Sequence, residues 1–148
     1  MSLEARTHTA LHVVKGAIYK VLGAKWSTSA AAEGGHGRIA VEFDRKPTDE
    51  EEAAIRRLVD EKIREDAPIE ILELTRRDAE ARFGDLIYDK FPLPESIQGL
   101  RVFHLPGWNV NACNKEHTGS TGEIGKVTIS KIRYRGGKGV LEVSLDVA

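Results

Sequence analysis

His8-Thr-Ala-Leu-His12 near one end of the chain and Cys113-Asn-Lys-Glu-His117 near the other each set two nitrogen or sulfur donors four residues apart. On a helix, that spacing brings both side chains onto one face, about 5–6 Å apart at Cβ. Imidazole nitrogen and thiolate sulfur are preferred zinc donors, and three histidines with one cysteine complete a tetrahedral set. Either pair alone carries little weight. A helical histidine pair serves equally as a packing feature, and an isolated cysteine is commonly a small buried apolar group. Taken together, and including the only cysteine of the chain, the pairs predict one zinc ion gripped by both ends of the polypeptide. The zinc-protease pattern would place glutamate directly after the first histidine; Thr9 stands there and argues against that chemistry. His36, in a glycine-rich turn, and His104, in an apolar run, have no partner at ligand spacing. The first is expected in solvent and the second hydrogen-bonded within a sheet.

Directly after His117 comes Thr118-Gly-Ser-Thr-Gly-Glu-Ile-Gly125. Its glycines permit positive φ and close backbone approach to a ligand. The segment, with Gly122 within it, is either a tight connection or a loop that binds a phosphate, ribose or carbonyl oxygen. From Lys126 to Lys138 the chain carries five basic residues and no acid. Lys131, Arg133 and Arg135 alternate there and so share one strand face. Such a row is either a solvated sheet face or a track for phosphates. The net charge of −1 argues against bulk, non-specific nucleic-acid binding and leaves a local basic surface, beginning at Lys126, as the alternative.

The elements that must position these residues are readable. A chain of 148 residues is predicted to form one domain. The first helix is expected from His8 to Leu22, capped by Thr7 and stopped by Gly23. Leu11, Val14, Ile18, Val21 and Leu22 form its apolar stripe, with His8 and His12 on the rim. Strands are expected at Lys25–Ala31 and Arg38–Phe43. Thr48-Asp-Glu-Glu51 is a capping box opening a second helix that Pro68 ends. Ile69–Leu74 reads as a strand, Thr75–Phe83 as a short helix, and 89–98 as an irregular surface connection. Leu100–Leu105 is a strand, and Gly125–Tyr134 with Gly139–Val147 make a closing hairpin. The class is α+β: a mixed or mainly antiparallel sheet packed against two longer helices. The unpaired cysteine suits a reducing, cytoplasmic setting. No apolar run is long enough for a membrane span or signal peptide.

The two ligand pairs, the stretch Trp108-Asn-Val-Asn-Ala-Cys113 and the following Thr-Gly-Glu-Ile-Gly together resemble the editing domains of alanyl-tRNA synthetase. The likeness is closer still to the small free-standing AlaX-type proteins and extends over nearly the whole chain. It implies a zinc-dependent hydrolase that cleaves the ester of mischarged tRNA(Ala), chiefly the seryl ester, with the glycyl ester a second candidate. A hydrophobic synthetic pocket rejects an added hydroxyl poorly, which is the physical need for such an enzyme. By the resemblance His8, His12, Cys113 and His117 hold one zinc ion, with His117 either a ligand or a proton carrier. Glu123 and Glu116 are conceivable general bases. Ser27 aligns with a threonine that recognises serine in relatives, Thr28 being the alternative by one position. Lys126, Lys131, Arg133 and Arg135 would meet the tRNA. Two other readings remain open: editing of Ser-tRNA(Thr), because threonyl-tRNA synthetases carry a related domain, and an RNA-binding module whose zinc only holds the fold.

Overall fold

The computed structural model describes residues 1–148. Helix α1 spans Leu3–Leu22 and starts earlier than the sequence pattern suggested, because Ser2 rather than Thr7 caps it. The Ser2 hydroxyl accepts the Ala5 N–H at 3.1 Å. Thr7 lies inside the helix, its hydroxyl donating to the Leu3 carbonyl at 2.8 Å. Gly23 ends the helix as expected, at φ 72, with its N–H on the Tyr19 carbonyl. That left-handed turn is cheap only for a residue without Cβ.

Two antiparallel sheets flank this helix, where the sequence pattern suggested one. Strands β1 (Ser27–Glu33), β2 (His36–Glu42), β6 (Val127–Arg135) and β7 (Val140–Val147) form the larger sheet, in the order β1-β2-β7-β6. Strands β3 (Glu70–Thr75), β4 (Gly99–Leu105) and β5 (Asn109–Ala112) form the smaller one in sequential order. The α+β class and the antiparallel pairing are as expected. The division arises because the chain between β2 and β6 pairs with itself, β3 on β4 across the long connection 76–98 and β4 on β5 through a short turn.

Helix α2 (Asp49–Glu65) begins at the capping box the sequence announced. Thr48 Oγ1 accepts the Glu51 N–H, and the Glu51 carboxylate accepts the Thr48 N–H at 2.8 Å. A short helix α3 (Arg76–Phe83) follows β3, capped by Thr75. The 89–98 connection is irregular, as read from its prolines.

Helix α1 packs against the larger sheet, α2 and β5 together. Ala10, Val13, Val14, Ala17 and Ile18 are therefore fully buried, on a helix expected to bury only one stripe. His12 is buried with them instead of lying on a rim. Phe103 of β4 and Ile124 close the core from the other side. Burial of each valine, isoleucine or phenylalanine side chain here stabilises the fold by about 1.5–3 kcal/mol through loss of apolar contact with water. No helix is long and apolar enough to cross a membrane.

Candidate metal centre

The two ligand pairs meet. His8 and His12 project from α1, while Cys113 sits immediately after β5 and His117 in the loop beyond. One donor atom from each of the four lies within 4.8 Å of all the others. His8 Nε2 is 3.1 Å from Cys113 Sγ, and His12 Nε2 is 3.1 Å from His117 Nε2.

Only the first pair owes its spacing to a helix. The Cys113 N–H donates to the Arg101 carbonyl at 2.8 Å, so β4 carries the cysteine to the site as an extension of the sheet. The loop holding His117 is then pinned to α1, the Thr118 N–H donating to the Thr9 hydroxyl at 3.0 Å. Thr9, in the position where a protease would carry its glutamate, is thus a fastening for the second ligand segment.

The surroundings prepare the donors. Asn109 Oδ1 accepts a hydrogen bond from His12 Nδ1 at 2.9 Å. That fixes the tautomer and leaves the Nε2 lone pair facing the cluster, as an outer hydrogen-bond partner does for metal-binding histidines. The His12 ring stacks on Phe103 with centroids 3.9 Å apart, which removes its remaining rotational freedom. His117 Nδ1 is buried and has no hydrogen-bond partner. A polar atom in that condition is costly, and retaining the ring there needs a compensating interaction.

Burial lowers the proton affinity of all three imidazoles. It is the main cause at His8, assisted by nearby Lys115. At His12 burial is reinforced by repulsion from His117 and His8, holding the ring well below the usual histidine range. His117 is pulled down to about 3, by burial first and then by the charges of His8 and Arg101. Burial pushes the Cys113 thiol up. At neutral pH the cluster offers three neutral imidazoles and one thiol that must shed its proton to ligate. A soft sulfur with three nitrogens at these separations fits zinc.

A cleft of about 80 Å3 opens beside the cluster, walled by His8, His12, Cys113, Ser27, Lys15 and Asp89 among others. Ser27 Oγ donates to Asp89 Oδ1 at 2.5 Å, and the same oxygen receives Lys15 Nζ at 2.9 Å. Lys15 also reaches Asn111 Oδ1 at 2.6 Å. Burial alone would raise the Asp89 pKa, but the Lys15 charge and the hydrogen bonds from Ser27, Lys15 and Asn111 hold it below the usual carboxylate range.

The other residues singled out in the sequence lie elsewhere. Thr28 donates to the Ala40 carbonyl at 3.4 Å. The Gly122 N–H donates to Asp66 Oδ1 at 3.0 Å, and a Cβ there would lie 2.3 Å from that oxygen, so the glycine lets the loop dock against the end of α2. The Glu123 carboxylate accepts the Gly119 N–H at 3.1 Å. Glu116 is exposed. Lys126, Lys131 and Arg133 are exposed at or beside the edge strand β6, while Arg135 is paired with Glu142 at 2.5 Å. His104 bonds Glu70 at 2.7 Å within the smaller sheet, and His36 is exposed beside Asp146, both as expected.

Sequence reasoning missed Lys15, Asp89, Asn109 and Asn111. For Lys15 a signal existed: His8, His12 and Lys15 follow each other at i, i+4 and i+7, one continuous helix face. Asp89 gave none, because it lies in a segment with no periodicity.

No family model matches the chain. Among curated proteins it is similar to the alanine–tRNA ligase of Methanopyrus kandleri, 35% identical over 93% of this chain and 16% of that protein. It is 36% identical to the Thermofilum pendens enzyme over 84% of the chain and 14% of the relative. The Korarchaeum cryptofilum enzyme is 34% identical over 86% of the chain and 14% of the relative. The chain is therefore homologous to a segment amounting to about a seventh of alanine–tRNA ligases, in agreement with the AlaX-type editing domain that its motifs resemble.

Proposed function

We propose that this protein is a zinc-dependent deacylase that hydrolyses the ester of mischarged tRNA(Ala), chiefly the seryl ester and secondarily the glycyl ester. The observation that carries the reading is the meeting of His8 and His12 with Cys113 and His117 at one edge of a cleft that also holds a polar side chain, Ser27. His8, His12, Cys113 and His117 would hold the metal. For His117 the ligand role is favoured over proton carriage, since its Nε2 faces that of His12. Bound there, zinc would supply polarisation and positioning of the ester.

The rest falls to the chain's own groups. Because Ser27 gives its proton to Asp89, its lone pairs are left to accept a hydrogen bond from a seryl hydroxyl. The alanyl side chain has no donor for them, so its methyl would leave that polar surface unpaired. Lys15, held by Asp89 and Asn111, keeps the carboxylate charged and oriented. Gly122 and Glu123 hold the loop that carries His117, and Lys126, Lys131 and Arg133 are the proposed phosphate contacts at the edge of the larger sheet. That the relatives are alanine–tRNA ligases supports tRNA(Ala) over tRNA(Thr) as the substrate. The setting is the cytoplasm, where the thiol stays reduced.

The test is side-by-side hydrolysis of seryl-, glycyl- and alanyl-tRNA(Ala) by the zinc-loaded protein, with seryl-tRNA(Thr) as the control for the other editing class. Loss of the seryl ester alone, or ahead of the glycyl ester, is expected; equal rates for seryl and alanyl esters would refute the specificity. The burial of His12 and His117 favours one second reading, a purely structural zinc in an RNA-binding module. On that reading chelation unfolds the protein and no ester is cleaved. A chelated protein that stays folded but inactive rejects it.

A further inference from the structure

A larger cavity, of about 360 Å3, lies apart from the metal ligands and falls in the size range of small-molecule sites (~300–1,000 Å3). Its walls include Tyr19, Lys20, Lys25, Phe83, His104 and Trp108. None of its lining residues is acidic. Resting on the deacylase reading, we propose that this cavity binds one stacked nucleotide of the single-stranded 3′ end of the tRNA, next to the ester cleft.

Continuity is the first argument. The cavity and the metal cleft share Lys15, and the cavity also includes Asn109, the partner of His12. Along α1, His8, His12, Lys15 and Tyr19 follow one another on a single face, so the two spaces lie end to end beside one helix. At 1.5 Å per residue the step from His12 to Tyr19 is about 10 Å along the helix, so the two spaces are close neighbours. Chemistry is the second argument. Aromatic faces with cations above them suit a base joined to phosphate: nucleobases stack on any aromatic surface, and cationic side chains follow the backbone. Lys20 Nζ stands 5.2 Å from the Trp108 ring centre. Lys15 and Lys25 are engaged by Asp89 and Asp85, which leaves Lys20 to meet a phosphate. An uncharged apolar ligand would explain the rings but not the lysine.

Tyr19 is 42% exposed and Lys20 is also exposed, so Tyr19→Ala and Lys20→Glu keep the fold, which circular dichroism checks. The trinucleotide CpCpA, which carries no ester, is titrated into the zinc-loaded protein and followed by tryptophan fluorescence. Wild type is expected to bind, with Tyr19→Ala weakening it about 5- to 150-fold, the range of one lost stacking contact. Lys20→Glu is expected to weaken binding and flatten its salt dependence. In parallel, both variants should raise KM for seryl-tRNA(Ala) and leave cleavage of seryl methyl ester unchanged. Absent trinucleotide binding, or equal binding by both variants and wild type, overturns the cavity's role even if seryl-tRNA is hydrolysed. Trinucleotide binding that depends on both residues, in a protein that hydrolyses no seryl ester, keeps the nucleotide site and overturns the deacylase reading instead.

Discussion

Gly16→Ala separates local from tertiary reasoning. Within an isolated helix the change should help, since glycine in a helix interior costs about 1 kcal/mol relative to alanine. In this fold a Cβ on residue 16 would stand 2.3 Å from Trp108 Cδ1, 2.5 Å from its Nε1 and 2.8 Å from its backbone oxygen. Neither the ring nor the backbone can retreat cheaply, because the indole N–H donates to the Val13 carbonyl at 2.9 Å on the same helix. Overpacking of this kind costs roughly 1–3 kcal/mol. Losing the indole hydrogen bond adds about 1 kcal/mol, and the propensity gain offsets about 1. The expected net is a loss of about 1–3 kcal/mol. Displacing Trp108 also displaces its neighbour Asn109, and with it the tether on His12. Urea denaturation with and without zinc measures both effects: the midpoint should fall at unchanged slope, and zinc should stabilise the variant less than the wild type. A variant as stable as wild type would refute the contact between α1 and the β4–β5 turn on which this reasoning depends.

Three further outcomes follow from the same geometry. Asn109→Ala should weaken zinc binding about 10- to 100-fold by releasing His12 Nδ1, measured by competition with a chromophoric chelator. Zinc binding near pH 7 should release about one proton, because burial keeps the Cys113 thiol protonated while the imidazoles are already neutral. Affinity should therefore rise with pH, and calorimetry in buffers of different ionisation heat reads the count; no net release would contradict the assignment. At the start of α2, hydrogen bonds from Arg45 and from the Thr48 backbone bring the Glu51 pKa down to about 2. With the folded value below the unfolded one, its contribution is present above about pH 4.5 and is lost as pH falls toward 2. Glu51→Gln should accordingly flatten the helix loss seen by circular dichroism over that interval.

How much of this was legible beforehand differs from residue to residue. The capping box at Thr48 and the stop at Gly23 follow from local chemistry, in which a few neighbouring residues satisfy or break backbone hydrogen bonds, and the strand segments follow from apolar alternation, whereas their pairing, such as His36 with Asp146, is long-range. His8 and His12 were readable for the same reason, since a helix repeats its faces at fixed spacing. Cys113 and His117 were found by residue type and by resemblance, yet their spacing belongs to a strand end and a loop, not to a helix. Residue type alone does not fix the start of α1, because both Ser2 and Thr7 are chemically able to cap; the Thr7 hydroxyl bonded to the Leu3 carbonyl places Thr7 inside the helix.

The sequence by itself determined the donor types, the helix that presents two of them and the class of fold, because these depend on side-chain chemistry and short-range periodicity. Tertiary structure alone decided that the donors meet, that Asn109 orients His12, and that Asp89 joins Lys15 and Ser27 in the cleft. Those contacts link residues dozens to a hundred positions apart. Nothing in the local pattern encodes them; they arise when burying α1 between the sheets, α2 and β5 leaves only one arrangement for the segments around it.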